Sequence, residues 1–379
     1  MRRRLEALRH AIRQASDPRE ILLLGAQRAL LLARLGDITQ ARRDIRILRE
    51  APRTLIDPPL ACWLWLAEGV TSYFENLAPT ARVRIAQAHA LATATTAPVV
   101  RALAAAWLAH LDVATHNDND LITHVHEAFH LSDSHHHTTR SRAALAMAWT
   151  WHISGNEQQA QPWYCLARSH AVADGDGGTL GSVMHNMAAS QVIRVRLDAI
   201  SHPMDVRAAQ RALLSAESSA FLDLTVHAHA LQAHLHLLRA QILLMLGQEA
   251  TALRLYDRHC CHAVRQGLAE SMGLLLADRA WCLCRTGRSP ACDEANLVAK
   301  DAAWALRLTK TDEEIAIGHA QLAKVFGYLG QHTAQKHHQN LAFEALERHH
   351  QRNAERHRLL KVSDLSAWAR PSSSGRNTP

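Results

Sequence analysis

At 379 residues, with 48% hydrophobic and 5% aromatic content, the chain can bury a large core as one elongated or two compact domains. Its 42 Lys and Arg against 35 Asp and Glu give a formal charge of +7, but the signs are interspersed, so composition argues only weakly for a nucleic-acid partner. Seven cysteines without a C-x-x-C pair exclude a disulfide scaffold and a zinc ribbon, and read as reduced, mostly buried thiols.

The first stretch, MRRRLEALRHAIRQAS, is basic but has no apolar h-region. It is therefore no signal peptide; residues 1–18 are expected to form a capping helix and the protein to be cytoplasmic. ILLLGAQRALLLARLG follows, interrupted by Gln27, Arg28 and Arg34 and too short to span a bilayer. It ends at Gly36, the first of five glycines in a common frame with Gly155, Gly247, Gly287 and Gly330. Seven residues before each stands an alanine: Ala29, Ala148, Ala240, Ala280 and Ala323. Five after come Ala41, Ala160, Ala252 and Cys292, with Gln335 breaking the rule, and nine after come Tyr164 and Tyr256. Such a frame predicts helical hairpins. The glycine ends one helix in a left-handed conformation, and the small residues let two antiparallel helices approach closely.

Between these hairpins the pattern weakens. Asn76 is expected to replace the turn glycine, with Gly69 seven before it and Ala81 five after. A degenerate hairpin turns near residues 115–120. HEAFHLSDSHH, residues 126–136, then poses an enzyme question. His126, Glu127 and His130 spell H-E-x-x-H, and His136 stands where metzincin-type proteases place a third zinc ligand. The resemblance covers eleven residues, and Asp133 occupies the expected glycine. On a helical wheel Leu121, Ile122, Val125, Ala128 and Phe129 form an apolar face, leaving His126, Glu127 and His130 to solvent. A zinc hydrolase is thus a remote alternative.

GDGG at 175–178 reads as a loop between hairpins. A fifth hairpin is expected to turn near Ser201-His202-Pro203. In HAHALQAHLH, His227 and His234 share one helix face but stand about 10.5 Å apart in rise, too far for one metal. TAQKHHQNLAFEALERHHQRNAERHRLLK predicts one long charged helix, and residues 361–379 a disordered tail. Period-two apolar alternation is absent, so no sheet is expected.

The A-x6-G-x4-A-x3-Y frame resembles the tetratricopeptide repeat (TPR), in the longer-repeat form of bacterial regulatory and signalling proteins. The resemblance runs over residues 19–360 and implies an all-α, right-handed superhelical solenoid of about eight antiparallel hairpins, closed by a long charged capping helix. It further implies a concave groove that binds a protein or peptide. Carried onto this chain, the groove positions are Arg142, Leu145, Trp149 and His152, then His185 and Asn186, then His234, Leu237 and Gln241. No Walker loop, G-x-S-x-G elbow or dinucleotide fingerprint occurs. The reading is a non-enzymatic binding scaffold without cofactor or metal. Its rival is nucleic-acid binding through ARRDIRILRE and the basic last helix.

Overall fold

Helix starts fall where the sequence places prolines and acidic caps. The computed structural model describes residues 2–226, 232–287 and 289–369. In it, α2 (Pro18–Arg34), α4 (Pro58–Asn76) and α6 (Pro98–Ala114) each open on a proline, whose missing N–H costs nothing in a first turn. These prolines stand 40 residues apart, the same spacing as Gly247 and Gly287 in the glycine frame. Asp17 and Asp57 cap α2 and α4 by accepting from the N–H groups of Arg19 and Leu60, each cap contributing about 1 kcal/mol.

The chain divides into two units, residues 1–183 with 355–379, and residues 184–354. In the first, α1 (Arg2–Gln14) packs on α2, and Leu5 is buried there. Each proline-led helix then pairs with its successor: α2 with α3 (Ile38–Arg49), α4 with α5 (Thr80–Ala94), α6 with α7 (Asp118–Leu131). The next pair is α8 (His137–Ile153) with α9 (Glu157–Asp174). The first helices of the pairs also pack on each other, α2 on α4 and α6 on α8. Asp176 caps α10 (Gly177–Ser201), so of GDGG only Gly175 and Asp176 precede the helix.

In the second unit α10 and α11 (Val206–Val226) share a core with α12 (Gln232–Met245), built on Val192, Ala212, Leu238 and Ile242. There α12 pairs with α13 (Glu249–Arg265) and α14 (Met272–Thr286) with α15 (Ser289–Ala305); both α14 and α15 pack on α16 (Asp312–Tyr328). The last long helix, α17 (His332–Val362), runs for 31 residues. Arg356 near its end, buried in the first unit, donates to Asp118 and contacts His116. Leu365 is buried, and Trp368 of the short α18 (Ser366–Ala369) stacks on Phe129 at 5.3 Å. Residues 361–369 are therefore structured, while 370–379 lie outside the described residues.

Gly36, Gly155, Gly247 and Gly330 all have positive φ, as the frame requires, whereas Gly287 is extended at φ −97°. Asn76 does not replace the turn glycine. It ends α4, and the left-handed residue is Leu77 at φ 51°. Gly69 answers the close-approach argument, because a Cβ there would stand 2.5 Å from the Ile85 side chain and 2.9 Å from the Ala81 carbonyl. Of the six cysteines whose burial is described, Cys62, Cys282 and Cys284 are buried, so thiol burial is less general than composition suggested. Among the described residues no strand occurs, and no helix is long and apolar enough to cross a membrane.

Candidate functional site

The second unit contains a cleft of about 580 Å³, within the size range of ligand sites. Its walls come from α10, α12, α14, α16 and α17, with Glu249 contributed by α13. At its base Arg196 forms a bidentate pair with Asp278, at 2.6 and 2.8 Å, and Tyr256 donates its hydroxyl to the same carboxylate at 2.9 Å. All three side chains are buried, so the charge of Arg196 is spent inside the protein. Lys324, by contrast, is exposed in the cleft and has no ion pair among the described residues. Surrounding protein desolvates its ammonium and Arg196 repels it, holding its pKa below the ordinary value.

Aromatic surface and amides complete the lining. Trp281 is half-buried, with the Arg285 guanidinium 5.9 Å from its ring, and Arg285 also reaches Glu249 at 3.4 Å. Phe343 on α17 is 45% exposed, a large apolar ring left open to solvent. Gln321 and Gln335 face the cleft from α16 and α17. Gln335, the exception to the small-residue rule, packs on Gly327, where a Cβ would stand 2.9 Å from its amide. The space a small residue would save is supplied by the facing helix.

The groove positions read from the repeat lie elsewhere. In the second unit His185 and His234 hydrogen-bond ring to ring at 3.0 Å, Asn186 and Gln241 are buried, and Leu237 has no exposed surface. None of these five lines the cleft. The signals for Trp281, Lys324 and Phe343 were in the sequence as lone aromatic and basic residues on helices, but only packing brings them together. In the first unit Arg142 and Trp149 do meet in one cluster. Arg142 is 3% exposed and lies 4.1 Å above the Trp107 ring; Trp149 is half-buried beside His110 at 5.4 Å. Leu145 is buried in the core, and His152 turns into its own hairpin, where its Nδ1 bonds the Tyr164 hydroxyl at 3.1 Å.

His126 and His130 are exposed and their rings stack at 6.0 Å. Glu127 is not a free solvent-facing carboxylate: it accepts from Arg101 and, at 2.7 Å, pairs with the Nε2 of His89. A glutamate tied to α5 and α6 is not placed to activate water. His136 precedes α8, and no group of three potential ligands capable of holding a metal occurs among the described residues. His236 stacks on His259 at 4.2 Å, while His227 and His229 lie outside the described residues.

No protein-family model and no curated protein matches the sequence. Among solved structures the chain is similar to a Rap protein complexed with competence and sporulation factor, at 10% identity and TM-score 0.57, covering 92% of both chains. Similarity extends to the apo form of RapI (11% identity, TM-score 0.47, 86% of this chain and 85% of that one). Yeast Tom70 also matches, at 13% identity and TM-score 0.44, over 96% of this chain and 87% of its own. The fold is that of a TPR-like all-α helical repeat protein.

Proposed function

We propose that this protein is a non-enzymatic scaffold that binds a peptide or an extended protein segment in the cleft of its second unit, in cytoplasmic bacterial signalling or regulation. The observation that carries the reading is the composition of that cleft. A cation without an ion pair, one open and one half-buried aromatic ring and side-chain amides are the groups that recognise an acidic side chain, an apolar anchor and a peptide backbone respectively. The Rap protein of similar fold was solved with competence and sporulation factor bound, which supports a binding role for this fold. Nucleic acid is the weaker reading because part of each basic stretch is already paired with the chain's own carboxylates. Arg42 pairs with Glu75 and Arg49 with Glu68, while Arg348 and Arg352 both pair with Asp312.

A random peptide library selected on the full chain tests the proposal. Recovered peptides are expected to carry an acidic residue near an aromatic or aliphatic one. Trp281→Ala removes an anchor worth about 2 kcal/mol, so affinity falls on the order of thirtyfold; Lys324→Glu weakens acidic peptides selectively. Peptides that bind all three proteins equally would place the site elsewhere.

A further inference from the structure

The inner face of α15 is buried through Ala295, Val298, Ala299 and Ala302, and Leu306 of the 3₁₀ turn that continues the helix joins the same core. Its outer face carries large apolar side chains as well. Leu297 is 62% exposed, Trp304 63% and Leu308 59%. Spacings of seven and four residues align the three in one stripe, about 16 Å long at the helical rise. Single exposed apolar residues are ordinary on a protein surface, but an aligned stripe around a tryptophan marks a contact surface. Charge on the same face follows a matching pattern. Lys300, Asp301 and Arg307 are exposed and have no ion pair among the described residues. Glu294 is exposed and uses one carboxylate oxygen for Arg279 at 2.9 Å.

We propose that this face of α15 is the contact surface for a second copy of the chain, packed antiparallel about a two-fold axis between Lys300 and Asp301. In a two-fold contact, if one residue faces a second, the second faces the first on the other side of the axis. With the axis there, Leu297 opposes Trp304, Lys300 opposes Asp301 and Glu294 opposes Arg307. Apolar meets apolar and every cation meets a carboxylate, each contact occurring twice. A partner of unrelated sequence requires no such symmetry between the two halves of one helix; a second copy does. A standard interface buries roughly 800 Å² per partner, more than one helix face supplies, so the dissociation constant is expected to be on the order of micromolar. No α15 residue lines the second-unit cleft, so self-association and peptide binding are read separately.

Sedimentation equilibrium of the full chain, across concentrations spanning that constant, tests the proposal. Wild type is expected to pass from monomer to dimer and no further. Trp304→Asp sets a carboxylate against Leu297 on both sides of the axis and should weaken association at least about a hundredfold. Its helicity should not change, because the side chain is exposed. Lys300→Asp opposes carboxylate to carboxylate, and Asp301→Lys opposes ammonium to ammonium, so each should weaken association about tenfold. Joined in one chain, the two substitutions restore opposite charges across the axis and should recover the wild-type constant. A chain monomeric throughout, a dimer indifferent to Trp304→Asp, or a double variant as weak as the single ones would each overturn the proposal. So would a monomer that co-sediments with anionic lipid vesicles and loses that binding on Trp304→Asp, which would give the face to a membrane surface.

Discussion

Asp278 carries more hydrogen bonds from buried side chains than its single charge suggests, holding both Arg196 nitrogens and the Tyr256 hydroxyl. Asp278→Ala would leave the guanidinium buried and unpaired, a loss of about 3–5 kcal/mol, visible as a lower urea midpoint. Arg196→Met with Asp278→Leu removes both charges and should recover most of that loss. The histidines make a second prediction. His185 and His234 contact at 3.0 Å, as do His319 and His338 at 2.9 Å. Burial first, then a neighbouring imidazole in most of them, lowers their pKa values: His185 to about 3, and His234, His319 and His338 to about 4. A folded pKa below the unfolded value means that the unfolded chain takes up protons first as pH falls. Stability is therefore full above about pH 6.5 and drains away toward about pH 4. Melting temperatures across that window should decline, and more gently for His319→Gln with His338→Gln; a flat profile would refute this. These pairings were not legible in the sequence, where His185 and His234 sit 49 positions apart and read only as groove residues.

Helical hairpins were legible because their turns obey local rules. A glycine at a left-handed position and small residues at the crossing are sequence-visible, and four of the five framed glycines have the required φ. The rule failed where local chemistry and packing diverge. Leu77 and His116 adopt φ 51° and 55° despite their side chains, at a cost of about 1–2 kcal/mol each, which the surrounding hairpins override. Gly69 illustrates the opposite case, a glycine retained for packing inside α4. Gly69→Ala would drive a methyl into Ile85 and the Ala81 carbonyl and should destabilise the protein by about 1–3 kcal/mol. Val83→Ala, at an exposed position of α5, should change stability by less than about 0.5 kcal/mol. Equal chemical-denaturation midpoints for the two variants would show that α4 and α5 do not approach as closely as described.

For the whole molecule, the repeat predicted the fold class but does not single out the second-unit cleft, for one physical reason. Periodicity reports which residues face a helix partner, and those contacts recur every hairpin. A binding cleft depends on which side chains from α10, α14, α16 and α17 converge, and nothing in the repeat encodes that. Trp281, Lys324 and Phe343 stand on three different helices, and no motif joins them. In the first unit the frame did better, since Arg142 and Trp149, seven residues apart on α8, share a face and meet His110 and Trp107 of α6. The central claim, that the second-unit cleft binds an acidic peptide, is tested most directly by hydrogen exchange on the full chain with and without a library-selected peptide. Added protection is predicted in α14 around Trp281, in α16 from Ile317 to Lys324 and in α17 from Gln335 to Phe343. Protection absent from all three segments, with the peptide demonstrably bound, would contradict it.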